Sequence, residues 1–567
     1  MRRLVVLAVL AAVATYFYWS VRATGYPLEW GRDLNGYYNL LGRAFASGRL
    51  HLPVDPAPEL LAQPNPWDPK VDPALKMHDV ALYDGRYYLY HGAGPAMMLF
   101  APWRLITGHD VPERFALLLL CLGGYAFASG ALLRLLDASG ARPHPAVLAA
   151  LLLALGICQG VPYLFGRVWV YEIAIAGGYF CVSAAMFFLA SGHWAVAGLF
   201  FGLAIACRPH LLFAGLVALI LAPRDKRIRM LTPFAAMAAL VAAYNLVRFD
   251  NPLEFGVRYL LTYDTNQQRV RLAWENLIPG LYYFTLSPPG WSAVFPWARP
   301  RLHAPLALPT GYFIEPVVGW LWLAPFAIAA WIPRHRLLWM PPIAATATLL
   351  FLCFTGFATH RYQVDYLPLL VLGALVSAGA SKRTWMTAML CIAIGYSVVV
   401  NAALALTGPY DELLKNRPRS YLRIAGWFSP FERHRPAWNP PLDVEIEIAI
   451  RPETPGFREP LLSAGQQSYR SVIFVEHRDG KMRIFSNTDD SEVAADLPYP
   501  GSGRAIVRVT YSPGRVGVSV NGAPILTHEV KGLVTAPSDV RIGENSIVPN
   551  LTERRYSHEI RIVRRDM

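Results

Sequence analysis

Repeated apolar stretches constrain this chain more than any other feature of its sequence. They recur between residues 4 and 406 with polar loops between them, and several are long enough to cross a hydrocarbon core of about 30 Å. Composition agrees, because 54% of the 567 residues are hydrophobic and only 16% are charged, whereas a soluble domain carries about 25% charged residues. We therefore predict a polytopic α-helical membrane protein with about eleven transmembrane helices.

The first apolar run follows a short basic start and ends in bulky aromatics at residues 16–19. No small-x-small cleavage site follows closely, so we expect a retained span rather than a cleaved signal peptide. The stretch 95–106 is short, contains Pro102 and carries Trp103 and Arg104, which favours an interfacial helix. The predicted spans are residues 4–21, 114–136, 145–160, 171–190, 193–207, 210–222, 231–247, 316–333, 338–356, 365–380 and 385–406.

Basic loops predict the orientation of these spans. If residues 23–112 lie outside, then Arg134, Arg142 and the basic loops at 223–229, 333–336 and 381–383 all fall on the cytoplasmic side, as the positive-inside rule requires. The long loop 248–315 then also lies outside. Polar residues from sequence-distant loops thus share one face, and this convergence is the main functional signal in the sequence.

Net charge and cysteines exclude several classes of function. The net charge of +13 and the pI of about 9.4 come without a basic run interleaved with aromatics, so we do not expect nucleic acid as a partner. All six cysteines lie in apolar segments, which predicts neither a disulfide framework nor a cysteine metal site.

From about residue 440 the pattern changes to alternation with a period of two. Stretches such as VEIEIAI at 444–450 and RVGVSV at 515–520 are separated by Asp479-Gly480, Pro513-Gly514 and Asn521-Gly522, which are hairpin signals. We predict an all-β domain over 440–567, most simply a two-sheet sandwich, and a connector over 407–439 that lies against the membrane.

Three acids stand out in the predicted exterior loops. Asp33 is the third residue of the stretch Gly31–Gly48, which directly follows the first span, although a role as N-cap of the following helix is an equal alternative. Asp79 lies in MHDVALYDG, where a turn aspartate is the alternative. Glu172 ends GRVWVYE at the start of a span, and the alternative is an acid that is stabilised at a helix N-terminus by the helix dipole.

Arginines in the same loops suit phosphate. Arg361 in THRYQVDY is the strongest candidate, because guanidinium binds phosphate in a bidentate manner; an ion pair with Asp365 at i+4 is the alternative. Arg258, Arg208 and Arg167 are further candidates. His91, by contrast, is of a kind that is more often a structural hydrogen-bonder than a catalyst.

Residues 1–406 resemble the GT-C superfamily of polytopic glycosyltransferases, which includes the protein O-mannosyltransferases and the aminoarabinose transferase of lipid A. In that family an acid after the first span precedes a tyrosine-bearing helix that ends in glycine, matched here by Asp33, Tyr37 or Tyr38, and Gly48. His91–Pro95 stands in the place of a His-Pro-Pro-like interfacial helix. The last two matches are Arg167 with Glu172, and RYQVDYLP over Arg361–Pro368.

The resemblance implies transfer of a sugar from a polyprenyl-phosphate donor to a glycan, lipid or protein acceptor of the cell envelope. It assigns Asp33 as the general base, assisted by Glu172 and Asp79. Substrate or phosphate contacts would come from Arg361, Arg258, Arg167, Arg208, Tyr362, His91 and Tyr37.

A metal is not required by this pattern. The family's Asp-Glu pair is Asp33-Leu34 here, and the exterior loops hold no Asp-x-Asp. We therefore expect no cofactor, although Asp33 with Glu172 could hold one oxygen-ligated divalent cation.

The C-terminal region resembles concanavalin-like or laminin-G-like jelly rolls. Residues 504–522 match their strand, Pro-Gly, strand, Asn-Gly hairpin, and DVRIGEN at 539–545 resembles a closing strand. The resemblance implies a jelly-roll sandwich and makes it a candidate carbohydrate-binding domain. The compact basic loops fit a bacterial inner (cytoplasmic) membrane with this domain on the periplasmic or extracellular side.

Two rival functions remain open. A transporter or flippase for lipid-linked sugar would show an internal repeat and midplane charges, and neither is clear in the sequence. A non-catalytic glycan-binding membrane protein would leave Asp33, Glu172 and Arg361 dispensable.

Overall fold

The computed structural model describes residues 2–25, 28, 30, 34–262, 272–302, 305–333, 336–381, 383–429, 431–450, 457–478, 481–498, 503–548 and 551–566. The chain forms two compact units. The first comprises Met1–Pro289 and Pro300–Ala405, and the second comprises Gly290–Arg299 and Leu406–Met567. The first unit is predominantly helical and the second is rich in β-strands.

Five helices of the described chain are long and apolar enough to cross a membrane. Their bounds are Arg2–Ala23, Glu113–Ala138, Val170–Ala190, Arg224–Phe249 and Thr384–Thr407. Six apolar helical segments are shorter than a typical span of about 20 residues. They are Ala96–Thr107, Pro145–Ile157, Trp194–Cys207, Pro209–Leu221, Met340–Phe354 and Leu367–Gly379.

The stretch predicted as a span over 316–333 is not one continuous α-helix. It contains a single turn at Trp320–Leu323 and a 3-10 helix at Pro325–Trp331. Pro325 has no N–H to continue the hydrogen-bond ladder, and a proline restricts the residue before it to extended backbone. Ala324, the residue before this proline, has a non-helical backbone with φ −147° and ψ 69°, which separates the two pieces.

The polar segment after the first helix has regular structure of its own. Helices Tyr37–Ala46 and Pro58–Leu61 precede an antiparallel hairpin of Ala81–Tyr83 with Arg86–Tyr88. The stretch predicted as an interfacial helix does form a helix, with a π-helical start at Ala96–Phe100 and an α-helical end at Ala101–Thr107.

Short elements complete the helical unit. The 3-10 segments are Pro73–Leu75, Val161–Phe165, Pro209–Leu211, Val257–Tyr259, Trp274–Asn276, Arg336–Trp339 and His360–Asp365, and the remaining helices are Leu212–Leu221, Leu277–Leu281 and the π-helical Tyr282–Leu286. Strand Phe313–Ile314 pairs in parallel with Phe357–Ala358. This pairing brings residue 315, which directly follows the first strand, close to residues 359 and 360, which follow the second.

Glycines allow the long helices to approach closely. A Cβ on Gly124 would lie 2.4 Å from the Tyr179 ring, and one on Gly123 would lie 2.7 Å from Phe180. Both contacts join Glu113–Ala138 to Val170–Ala190. Small residues at such crossings are how helices pack within a membrane.

The second unit contains two five-stranded antiparallel sheets. One has the strand order Glu492–Pro498, Lys481–Asn487, Ser471–Arg478, Arg458–Ala464, Arg541–Ile542. The other has the order Ala523–Glu529, Arg515–Val520, Gly503–Ser512, Leu442–Ile450, Ile560–Asp566. Ile446 and Val507 of the second sheet share one buried apolar cluster with Leu462 and Ile484 of the first.

The period-two stretches of the C-terminal region form strands, as predicted. At the Asn521-Gly522 turn both residues have positive φ, 50° and 83°, as a type I′ hairpin turn requires. Strands also form at Arg458–Ala464, Glu492–Pro498 and Ala523–Glu529, which the period-two pattern did not single out, because their sequences do not alternate cleanly. Asp479-Gly480 lies outside the described residues.

The predicted connector over 407–439 is mostly helical. It holds Glu412–Asn416, Pro418–Phe428 and Glu432–His434, followed by strand Ala437–Trp438, which pairs with Val534–Thr535. The short antiparallel pair Gly290–Trp291 and Ala298–Arg299 also belongs to this second unit.

Candidate functional site

Arg361 is the centre of a buried polar group in the helical unit. Its Nη1 lies 2.7 Å from Glu315 Oε2 and 3.9 Å from Glu172 Oε1. Thr359 donates a second hydrogen bond of 2.7 Å to the same Glu315 oxygen. Burial alone would lower the pKa of Arg361, but the two glutamates raise it above its usual value, so this arginine is a permanent cation.

Glu172 reaches Arg361 from the first turn of Val170–Ala190. Its Oε2 accepts a hydrogen bond of 3.0 Å from the Trp169 N–H and so caps the helix. Its Oε1 faces Arg361. The capping role considered as an alternative in the sequence is therefore present together with the contact to the arginine.

Asp79 is the third acid near this group and the least satisfied. It is 2% exposed, and its Oδ2 accepts no hydrogen bond from the described residues, although His78 Nε2 lies 3.5 Å away. Burial raises the pKa of Asp79, against the opposing charges of His78, Arg361 and Arg167. Its φ of 57° is in the left-handed region, and such strain in a non-glycine residue concentrates at functional sites.

Glu172, Glu315, Arg361 and Asp79 together are called the acid–arginine cluster below. Their side chains come from four sequence-distant segments of the helical unit. The cluster combines carboxylates that can accept a proton or a hydrogen bond with a cation that can stabilise negative charge.

A second arginine lies beside the cluster with a carboxylate of its own. Arg208 contacts Asp365 Oδ2 through Nη2 at 2.9 Å, and His210 Nε2 lies 2.9 Å from the same oxygen. The predicted alternative of an Arg361–Asp365 ion pair is therefore wrong, because Asp365 pairs with Arg208 and Arg361 pairs with the glutamates.

Aromatic rings connect these charged groups. Arg208 lies over the Tyr362 ring at 4.6 Å and Arg361 lies over the Tyr171 ring at 4.5 Å. His91 meets Tyr171 edge to face, with ring centroids 5.0 Å apart. Burial lowers the pKa of His91 well below its usual value, with smaller contributions from Arg208 and Arg361, so this histidine is neutral at physiological pH.

Other predicted site residues lie at the edge of the cluster or away from it. Arg167 stacks on Trp169 at 4.4 Å, and its charge acts on Asp79. Tyr37 donates to the carbonyl of His78, the neighbour of Asp79. Arg258 is exposed on Val257–Tyr259, and no described contact joins it to the cluster. Asp33, the predicted general base, lies outside the described residues.

Glu315 was missed by the sequence reasoning. It directly precedes the apolar stretch that begins at residue 316, and an acid next to an apolar segment is the criterion that selected Asp33 and Glu172. Nothing in the sequence marked Thr359, because its role depends on the hydrogen bond that it donates to Glu315, and the sequence does not show that contact. Among the described residues no three histidine, cysteine, aspartate or glutamate side chains form a candidate metal site.

Comparison with known proteins adds no relatives to this description. The chain matches no protein-family model and no curated protein sequence.

Proposed function

We propose that this protein is a membrane glycosyltransferase that moves a sugar from a polyprenyl-phosphate donor to a cell-envelope acceptor. The proposal includes a GT-C-like arrangement of about eleven spans, a jelly-roll form for the β-rich unit, and an active face on the periplasmic side of a bacterial inner membrane. One observation supports it above the others. Asp79 carries a buried carboxylate on a residue with a left-handed backbone, one of its oxygens accepts no hydrogen bond from the described residues, and the charges of Arg361 and Arg167 act on it.

The chemistry assigns distinct roles to acid and cation. A carboxylate accepts the proton of the acceptor hydroxyl while the hydroxyl oxygen forms a bond to the anomeric carbon of the sugar. The bond from that carbon to the donor phosphate breaks, and the prenyl phosphate leaves with the electron pair. A cation near the leaving phosphate stabilises its developing charge.

Asp79 is the described carboxylate best suited to accept this proton. A raised pKa makes a carboxylate a stronger base, and its unbonded oxygen is free to meet a hydroxyl. Glu315 and Glu172 are less suited, because both spend oxygens on Arg361, Thr359 or the helix cap. They act as positioning residues for Arg361, and the role of Asp33 stays a prediction.

The test is sugar transfer by the purified full-length protein from synthetic polyprenyl-phosphate sugars to extracted envelope acceptors. Asp79→Asn removes the base while keeping the shape of the side chain. We expect its transfer rate to fall by about a hundredfold to ten-thousandfold, the usual contribution of a general base. Asp33→Asn is measured in parallel.

Asp84→Asn is the matched control. Asp84 lies in the same loop and also has a positive φ, 46°, but it is exposed at the hairpin turn. It should retain wild-type transfer. If only Asp33→Asn lost transfer activity, Asp33 would be the general base. If the wild type transferred sugar from no donor but moved the donor across vesicle membranes, the protein would be a transporter and not an enzyme.

A further inference from the structure

The helical unit contains a cavity of about 320 Å³ beside the acid–arginine cluster. It is bounded by helix Tyr37–Ala46, the loop at residues 90–93, helix Trp194–Cys207 and helix Arg224–Phe249. Its walls are mainly apolar, with Met97, Ile205, Leu240 and Val241 among them. Its volume is at the lower end of the range of about 300–1,000 Å³ that is typical of small-molecule sites.

Three polar groups that line this cavity are buried and have an atom with no hydrogen-bond partner in the described chain. They are Nε2 of His91, the hydroxyl of Tyr244 and Nε of Arg248. A buried polar atom without a partner costs about 1–3 kcal/mol. Three such atoms around one apolar cavity are expected where a ligand supplies the missing partners.

Arg248 differs from the other buried arginines in its charge balance. It is 4% exposed, and it donates to the Leu89 carbonyl at 2.8 Å and to the Asn245 side-chain oxygen at 2.7 Å, both of which are neutral. Within the described residues no carboxylate lies at ion-pair distance from it. Arg361 and Arg208, in contrast, are each paired with carboxylates.

Burying a cation costs free energy unless an anion pairs with it. Glu254 is the carboxylate whose charge acts on Arg248, and it uses an oxygen to accept a hydrogen bond from the Gly256 N–H at 2.6 Å. Arg49, which is exposed, adds a second positive charge to the cavity lining. The cavity therefore combines apolar walls with a positive, donor-rich end.

We propose that this cavity binds a prenyl phosphate through its phosphate monoester, with Arg248 as the cation, Tyr244 and His91 as neutral hydrogen-bond partners, and the apolar walls around the adjoining chain. This inference rests on the proposed function for the isoprenoid nature of the chain. It moves the phosphate contact from Arg361 and Arg208, which are neutralised by acids, to an arginine that the sequence reasoning did not select. The cavity holds only the phosphate-proximal part of a long polyprenyl chain.

The position of His91 places this head group next to the acid–arginine cluster. One face of the loop at residues 90–93 lines the cavity, and the His91 ring meets Tyr171, on which Arg361 stacks. A phosphate beside His91 is thus separated from the cluster by one aromatic ring. This spacing suits a sugar that is attached to the phosphate and extends toward Asp79.

The test is equilibrium binding of farnesyl phosphate to the purified full-length protein in detergent, with no transfer involved. Arg248→Gln should weaken binding by about 10- to 100-fold, since it removes a charge-assisted contact. Tyr244→Phe removes one oxygen atom and should weaken binding by about 2- to 10-fold. Arg229→Gln, on the same helix but exposed, should bind as the wild type does.

Three further ligands distinguish the sources of the phosphate and the role of the chain. Farnesol, inorganic phosphate and dioleoyl phosphatidic acid should each bind at least tenfold more weakly than farnesyl phosphate. Equal binding of farnesol, or tighter binding of phosphatidic acid, would overturn the proposal. Because Arg248→Gln could disturb folding, thermal unfolding is measured for each variant. Unchanged binding by a folded Arg248→Gln would also overturn the proposal, and if that variant does not fold, unchanged binding by a folded Tyr244→Phe would do so.

The binding result and the transfer result are separable. Farnesyl phosphate that binds through Arg248 without any sugar transfer would retain the site and reject the enzyme. Transfer that is unaffected by Arg248→Gln would retain the enzyme and reject this site.

Discussion

Asp79 combines burial, a left-handed backbone and an oxygen without a hydrogen bond from the described residues. The sequence marks it only as an aspartate in a turn-like stretch, and Asp84 five residues later has the same appearance. What separates the two is the environment, because Asp84 is exposed while Asp79 faces other charges. The sequence analysis selected Asp79 and not Asp84, but the physical basis for that choice, burial among other charges, appears only in the structure.

The raised pKa of Asp79 has a consequence for stability. The folded chain binds the proton of this carboxyl more tightly than the unfolded chain, whose aspartates titrate near 3.9. Between the two pKa values the free energy of unfolding therefore falls as pH rises, and the ionised carboxylate remains destabilising above both. Asp79→Asn should thus unfold at a higher temperature than the wild type at pH 7, with the difference shrinking as pH falls toward 4.

Thermal unfolding of the purified protein across pH 4–8 would measure this effect. A rise of one pH unit in a pKa corresponds to about 1.4 kcal/mol, so the gain should be of that order for each unit. Asp84→Asn, which changes an exposed acid of the same stretch, is measured alongside it for comparison. If Asp79→Asn were less stable than the wild type at pH 7, the carboxylate would be a structural anchor and not a strained functional group.

The segment around His91 shows how secondary structure elements position the site. A Cβ on Gly92 would lie 2.2 Å from the Ala206 carbonyl oxygen, and one on Gly94 would lie 2.4 Å from the Cys207 sulfur. The loop therefore packs directly on the end of helix Trp194–Cys207, which leads into Arg208. The sequence predicted an interfacial helix after this loop, but its glycines gave no indication of the helix they contact.

Gly92→Ala should therefore destabilise the helical unit and displace His91. Because its neighbours are backbone atoms that cannot rotate away, we expect a cost of about 1–3 kcal/mol, as for other overpacked positions. Gly395→Ala is the comparison, since a Cβ at Gly395 in Thr384–Thr407 would meet nothing within 4 Å. That variant should gain about 0.5–1 kcal/mol. Equal unfolding temperatures for the two variants would show that the loop shifts to accommodate the added methyl group without a loss of stability.

At the scale of the whole molecule, the basic loops predict the orientation in the membrane, and this prediction can be tested directly. Five of the native cysteines are buried and Cys391 is half-buried, so the wild type should react little with a membrane-impermeant maleimide. Ser139→Cys lies in a predicted cytoplasmic loop and Ser512→Cys lies in the β-rich unit, and both positions are exposed.

In intact spheroplasts Ser512→Cys should be labelled and Ser139→Cys should not. After permeabilisation both should react, which controls for their accessibility. Labelling of Ser139→Cys alone in intact spheroplasts would invert the orientation and place the acid–arginine cluster at the cytoplasmic face, away from periplasmic acceptors.

The sequence by itself determined the division into an apolar helical part and a β-rich part, because hydropathy and period-two alternation are local properties of the chain. It also located Glu172, Asp79 and Arg361 in separate loops. Only the tertiary structure decided that Arg361 pairs with Glu315 and Arg208 with Asp365, that 316–333 is broken at Pro325, and that Arg248 lines an apolar cavity without a carboxylate. The physical reason is that charge balance and burial depend on contacts between side chains that are distant in the sequence. A local sequence pattern does not determine those contacts.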